Sequence, residues 1–447
     1  MPFPPLWIAP RDNQDWIDED TLSFLGWLEE HINHAAWARR LDRARATLLA
    51  ARNRWAAGER VPVFNSADAI AFYAFQARAY AADRTEWFEP EAYRIVPITR
   101  RLGQMLPVLR TIDGVGDRVA RLLTDGRRQP DDGLYELLVA GAYAVRGWKV
   151  AFEAEQPGLQ QTPDLYVSRG RSRWAAECKR VGRGEYAAGE GDQGRRLAAP
   201  VHSMAAERGR SVVVTVEYQI ELGDVPDDYL VHHLDRLAWR GDPIEWADEI
   251  GRGAAWNVVW GPLNSVIRHD DILFGSSRMI ELVTGAYLPY ADHDMQGRWT
   301  ASETHPFHAA DVHQLSLVSW LSGSSEAARR KARHFKGMVG RASRQLPGDR
   351  PGVVHVGYET GGASPADTLR HMLNVLQISN FDPGESRLRW VYANYMSPER
   401  TTAENESAAL TESTAFYKVG RHNTGDPLPR HFLFGDDHQG NTGWHLP

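Results

Sequence analysis

The spacing of apolar and polar positions divides the chain into a helical front, a short run of strands and a mixed remainder. Before about residue 120 the spacing is helical, with Trp-bearing, acid- and arginine-patterned segments at residues 21–30 and 35–57. A well-marked helix follows at residues 132–146, where Leu134, Leu137, Leu138, Gly141 and Val145 form one apolar stripe. Pro130-Asp131-Asp132 supplies its start signal and Gly147 its stop. Glu136 lies off the stripe, on a flank with Ala140 and Tyr143. The period then changes to that of strands, at residues 148–152, 162–168 and 174–179. A helix over residues 190–208, interrupted near Pro200, leads to a buried-strand pattern at residues 211–216. The predicted order over this stretch is α-β-β-β-α-β. Further on, strand-like runs at residues 256–260, 279–283, 314–320, 352–358 and 388–392 alternate with helical signals at 325–346 and 366–377. Residues 420–447, rich in Gly, Pro, His and Asp, read as irregular.

Candidate chemistry falls on two of those strands. The chain has five lysines against forty-six arginines, and Lys179 stands two residues after Glu177, so on a strand both point to one face. Pro163-Asp164 sits in the preceding strand. If Gly170-Arg171 is a two-residue type II′ turn, residues whose numbers sum to 341 face each other, and Asp164 opposes Glu177. Two carboxylates that close repel unless positive charge lies between them, and a metal ion is one supplier. The opposite face would gather Leu165, Val167, Trp174, Ala176 and Cys178 as packing. Two alternatives stay open: a longer arginine-rich loop that shifts the register, and a plain surface ion pair between Glu177 and Lys179.

With these residues in this order, the segment from Glu136 to Val216 resembles the catalytic core of the PD-(D/E)XK, or restriction-endonuclease-like, nuclease superfamily. It covers roughly a fifth of the chain, and the flanks gain nothing from it. The resemblance implies an α/β fold with that core, Asp164 and Glu177 as metal ligands, Lys179 as the catalytic lysine, and Glu136 as an acid from the preceding helix. It also implies the Cys178 backbone carbonyl as a further ligand, and hydrolysis that leaves 5′-phosphate and 3′-hydroxyl ends. Oxygen donors and a phosphate substrate suit Mg²⁺ or Mn²⁺. DNA is the expected substrate, and by family analogy alone the role is prokaryotic restriction or antiviral defence. The alternatives are an RNA-directed nuclease of the same fold, and a non-cleaving nucleic-acid-binding or assembly module. Downstream, Glu185, Tyr186, Gln193, Arg195 and Arg196 offer either a polar support for the site or a solvated helix surface.

Length and charge limit the remainder. The 447 residues suggest a mostly helical region at 1–125, a nuclease-like core at 126–222, and an α/β region at 223–447 that extends the core sheet or forms a unit of its own. A formal net charge of −7 argues against indiscriminate coating of nucleic acid, so binding must use local patches. One candidate patch is Arg169, Arg171, Arg173, Arg180 and Arg183 around Lys179. A second, on the helix at 325–346, includes Arg330 and Arg333, with a solvated face as the alternative. Ile112-Asp113-Gly114-Val115-Gly116 reads as an ordinary glycine turn between helices, or as a short likeness to a helix-hairpin-helix DNA-backbone motif. Asp292, His293, Asp294, His305, His308 and His313 match no regular metal spacing. A single cysteine excludes an internal disulfide and fits a reducing, cytoplasmic setting. The opening residues lack a signal-peptide pattern, and no apolar run is long enough for a membrane span. A homo-oligomer or protein partner working through the flanks is compatible with all of this.

Overall fold

The computed structural model describes residues 6–8, 18–57, 59, 61–82, 86–153, 162–181, 185–238, 241–288, 291–303, 308–359, 365–399, 409–428 and 433–435. After β1 (Leu6–Ile8) come the helices α1 (Glu19–Glu29), α2 (His34–Ala56), α3 (Ala69–Ala82), α4 (Glu89–Gln104), α5 (Leu106–Leu109), α6 (Val115–Leu123) and α7 (Pro130–Val145). Strands β2 (Lys149–Phe152), β3 (Leu165–Arg169) and β4 (Ser172–Val181) follow, then α8 (Glu185–Glu207) and β5 (Val212–Tyr218). The next stretch holds α9 (Tyr229–Leu234), β6 (Ile244–Ala247), β7 (Gly251–Asn257), α10 (Trp260–Ile267), β8 (Ile272–Leu273), α11 (Ser277–Thr284), β9 (Asp292–Ala301) and β10 (His308–Ser322). The chain continues with α12 (Ser325–Ser343), β11 (Gly352–Glu359), α13 (Pro365–Ser379), β12 (Leu388–Glu399) and β13 (Ala409–Lys418). The protein is mixed α/β. Among the described residues no helix is long and apolar enough to cross a membrane.

The described strands form two sheets. One has the order β1-β13-β12-β11-β4-β3-β2; the other runs β6-β7-β5-β10-β8, with β9 also paired to β10. In the first, β2, β3 and β4 are antiparallel neighbours, whereas β11 lies parallel to both β4 and β12. Parallel neighbours require a long crossover, and the one from β4 to β11 contains the whole second sheet before α12 returns the chain. This corrects the expected core at residues 126–222. The run at Val212 to Val216 does form a strand, but β5 belongs to the other sheet, and the strand beside β4 is β11.

Packing explains that outcome. Leu165, Val167, Trp174, Ala176 and Cys178 share one face and join Leu137, Leu138 and Tyr143 of α7 and Phe24 of α1 in a single apolar cluster. Burying each large side chain of this kind contributes about 1.5–3 kcal/mol. On the other face, Ala175, Val181, Val354 and Val356 meet Phe335, Val339 and Ala342 of α12. The second sheet is covered in the same way. Val212, Val214 and Val216 pack with Leu197 and Val201 of α8, and Val213, Leu315 and Leu317 pack with Met279, Ile280 and Val283 of α11.

That last helix is a second correction, because residues 279–283 read as a strand in the sequence. Ser276 caps the helix through its hydroxyl and Gly285 ends it at φ 85°, so a short apolar run is held helical by its two ends. At residues 256–260, β7 stops at Asn257 and α10 begins at Trp260.

Candidate active site

The β3–β4 hairpin has the expected register. Leu165 pairs with Ala176, Val167 with Trp174 and Arg169 with Ser172, so paired numbers sum to 341. Gly170 takes φ 60°, the left-handed conformation that a two-residue hairpin turn demands. Asp164, one step before β3, therefore arrives opposite Glu177. The Asp164 N–H donates to Glu177 Oε2 at 3.2 Å, and Asp164 Oδ2 accepts the Cys178 N–H at 2.8 Å. Lys179 Nζ pairs with Glu177 Oε1 and donates to Gln345 Oε1, just beyond α12, at 3.2 Å. Glu177 is fully buried, while the Lys179 side chain retains 29% exposure. Thus the strand face that carries chemistry is not open along its length: Ala175 and Val181, on the same face, are sealed against α12.

The charge placed between the acids is an arginine. Arg118 of α6, with a side chain only 6% exposed, pairs through Nε with Glu136 and through Nη2 with Asp164 Oδ1, the latter at 2.8 Å. Its guanidinium also stands over the Phe152 ring, 5.5 Å from the centroid. The glycine turn before α6 sets this position. Gly114 adopts φ 78°, the Asp113 carbonyl accepts the Phe152 N–H, and a Cβ on Gly114 would come within 3.2 Å of Phe152. The turn that resembled a DNA-backbone motif is packed against β2. Arg118 escaped the sequence reading, yet a signal exists. With Val115, Val119 and Leu122 it falls at i, i+3, i+4 and i+7, so an arginine occupies a position on an apolar stripe.

The electrostatics follow from this crowding. Burial, and then the nearby Asp164 carboxylate, push Glu136 up to about 8, with Arg118 and Arg121 offsetting part of the effect. Burial and Asp164 likewise push Glu177 up to about 8 against the pull of Lys179. Burial alone would lower the Lys179 pKa, but Glu177 and Asp164 outweigh it and hold the ammonium above its ordinary value. The Cys178 thiol is buried and pushed well above its usual range, by burial first and then by Asp164, Glu136 and Glu177. It is a packing group with no thiolate character.

The expected nucleic-acid contacts fare differently from one another. Arg180 is corrected: its side chain is 3% exposed and faces Glu359 at 3.4 Å, inside the protein. Arg169 donates to the Arg146 carbonyl and lies over Trp148. Arg171 and Arg173 are exposed, but toward the turn end of the hairpin, roughly 20 Å and 13 Å along the strand from Asp164 at ~3.3 Å per residue. Arg183, and the side chains of Glu185 and Tyr186, lie outside the described residues. Arg330 is held by Glu221 at 2.8 Å, and Arg333 is exposed near Glu326. Arg195 pairs with Asp192 and Arg196 with Asp227 on α8, which packs on the second sheet, and Gln193 lies on that helix too; Gln345 is the glutamine that reaches the site.

The scattered histidines do not converge. His293 bonds Ser319 and the Leu288 carbonyl, His313 bonds Thr300, Asp294 lies 3.6 Å from His202, and His305 is outside the described residues. Among the described residues no group of three or more His, Cys, Asp or Glu is arranged to hold a metal ion. No family model, curated protein or solved structure matches this chain.

Proposed function

We propose that the cluster around Asp164, Glu177 and Lys179 is the centre of a Mg²⁺- or Mn²⁺-dependent nuclease acting on DNA, with a restriction-endonuclease-like core built from α7, β2, β3, β4, α12 and β11. The observation that carries the reading is a crowding of buried acids. Among the described residues Glu136, Asp164 and Glu177 crowd together, with Arg118 and Lys179 as their ion-pair partners and Arg121 offsetting part of the effect on Glu136, and two of the three acids are still pushed up to about 8. A structural ion network more often balances its charges, because an uncompensated buried carboxylate costs several kcal/mol, roughly 3–5 when a pair is broken.

The donors fit the ion in kind: hard carboxylate oxygens, with Asp164 and Glu177 to hold it and the Cys178 carbonyl within the same strand. When bound, such a cation supplies a water of lowered pKa and a clamp on a phosphate oxygen. Lys179, held in its charged form by Glu177 and Asp164, is unsuited to accept a proton near neutrality. Its part is to orient water and offset the charge that grows on the phosphate in the transition state. Arg118 fixes Glu136 relative to Asp164, and Gln345 steadies the Lys179 ammonium.

A second reading is favoured by Arg118 itself. A guanidinium already spans Glu136 and Asp164, as it would in a non-cleaving nucleic-acid-binding or assembly module that keeps the fold. Incubation of the purified chain with Mg²⁺ or Mn²⁺ and plasmid, linear duplex, single strands or RNA separates the readings. Cleavage that is lost in Lys179→Ala supports the nuclease and identifies DNA or RNA. Binding without cleavage of any substrate overturns it in favour of the module.

A further inference from the structure

The basic helix α12 is largely neutralised in one half and not in the other. Near its start, Arg330 meets Glu221 and Glu326, Lys331 meets Glu190 at 2.6 Å, and Arg329 and Arg333 each lie 3.7 Å from Glu326. Toward its end the acids stop. Among the described residues no carboxylate forms an ion pair with Lys336, Arg341 or Arg344, nor with Arg370 on the neighbouring α13, and Arg341 and Arg344 are exposed. His334 reports the resulting field: its pKa is lowered by partial burial and then by Arg341 and Arg370.

The un-neutralised end is the one that reaches the candidate active site. Gln345, two residues past the end of α12, is bonded to Lys179 Nζ. Arg341 stands four residues earlier on the same side, about 6 Å along the helix axis. One turn back from Arg341, away from the site, the helix surface is low and open. Gly337 is exposed, and a Cβ placed there would meet only the Arg341 Nη1, at 3.9 Å. A backbone phosphate can therefore approach α12 closely at this point.

We infer that the C-terminal half of α12, through Arg341 and Arg344, is the surface that carries the nucleic-acid backbone to Lys179; Arg370 beside them is turned onto the buried Tyr358 ring, 4.2 Å from its centroid, and adds to the field alone. The inference rests on the proposed nuclease reading for the identity of the polyanion, but it concerns binding and not cleavage. On a chain of net charge −7, an unpaired cationic track ending at a buried acidic site suits a phosphate backbone. It also replaces the sequence expectation: Arg330 and Arg333, chosen there, belong to the half whose charges are already satisfied.

The test is fluorescence anisotropy with labelled duplex DNA, single-stranded DNA and RNA, using the full chain in EDTA so that nothing is cut, between 50 and 200 mM salt. Arg341→Glu/Arg344→Glu should weaken binding about tenfold or more and lower the salt slope by about 2, while Arg330→Glu/Arg333→Glu changes Kd by less than about twofold. Arg341→Gln/Arg344→Gln, which removes charge without reversing it, should give a smaller loss in the same direction. Equal loss in the two reversed pairs, or an unchanged slope in Arg341→Glu/Arg344→Glu, overturns the inference, as does a wild type that binds none of the three probes. A wild type that binds as predicted but cuts nothing with Mg²⁺ or Mn²⁺ sinks the nuclease reading and leaves the surface standing.

Discussion

Glu412 on β13 and Glu177 on β4 are both fully buried in the seven-stranded sheet, and they live in different chemistry. Glu412 accepts the backbone N–H groups of Leu433 and Phe434, the Asn394 amide and the Thr414 hydroxyl, all neutral donors. Its pKa is raised by burial, with each of those hydrogen bonds pulling it back down. Among the described residues no cation forms an ion pair with it. Glu177 instead lies beside the Asp164 carboxylate, pairs with the Lys179 ammonium, and adjoins the Glu136–Asp164 pair that Arg118 spans. A buried glutamate is therefore not in itself a sign of function. Neutral donors around Glu412 describe an anchor that ties residues 433–435 to the sheet. Like charges around Glu177 describe a place that costs stability, as the proposed active site would.

The largest expected separation between the two regions is in activity. On the proposed nuclease reading, Lys179→Ala or Asp164→Ala should lower Mg²⁺-dependent DNA cleavage by about 10³-fold or more, the first by removing the cation that would offset transition-state charge and the second by removing a carboxylate that would hold the metal. Glu412→Gln should cut at the wild-type rate wherever it remains folded. Single-turnover assays on plasmid, at a temperature where circular dichroism shows every variant native, check this. A Lys179→Ala protein of undiminished rate would remove the distinction.

Stability should separate them the other way. Glu412→Ala leaves two backbone N–H groups and two side-chain donors facing a cavity, at ~1–3 kcal/mol for each unsatisfied group before relaxation, so a loss of about 3–5 kcal/mol is expected. Urea titration measures it, and limited proteolysis should show the segment at residues 433–435 released first. A loss below about 1 kcal/mol would mean that the segment is held by Leu433 and Phe434 packing instead.

Arg118 offers an intermediate case, because it is both structural and inside the candidate site. Arg118→Gln strands Glu136 beside Asp164 and should cost about 3 kcal/mol. Much of that penalty is the unpaired acid, so Arg118→Gln/Glu136→Gln should be more stable than the sum of the single changes predicts. A double-mutant cycle with a coupling energy near zero would show that Arg118 acts through its packing on Phe152 and not through Glu136.

How far this contrast was legible in the sequence depends on distance along the chain. Asp164, Glu177 and Lys179 lie on one hairpin, and period-two alternation with a glycine turn was enough to bring them together. Arg118 stands on a different element, and no local pattern says that α6 will dock against β2. The strand character of residues 212–216 and 352–358 was equally plain from their valines. Which of them would lie beside β4 was not, because a strand buried on both faces carries no mark of its neighbour. The helix at residues 277–284 shows a different limit: its apolar run has strand character, and the serine cap and the glycine that bracket it are what make it helical. Glu412 gave no signal either, since its partners come from three separate segments.

The finest test of the comparison is the pH dependence of stability. Glu177 and Glu136 each have a folded-state pKa raised from the ordinary 4.5 to about 8. The folded state therefore holds their protons more tightly than the unfolded chain does. Their favourable contribution is fully present below about pH 4.5, the unfolded value, and fades as pH rises through about 8. Lys179, raised above 10.5, stays charged across that window and adds no slope of its own. The wild type should lose on the order of 2 kcal/mol between pH 5 and pH 9 from this cluster, less than two independent shifts would give, because the acids titrate as a coupled set. Glu177→Gln should flatten the curve and be more stable than the wild type at pH 9, whereas Glu412→Gln, which removes a shift that neutral donors partly offset, should flatten it less while lowering the whole curve. Parallel curves for the wild type and Glu177→Gln would mean that Glu177 is already balanced by Lys179, and the two buried glutamates would then be anchors of the same kind.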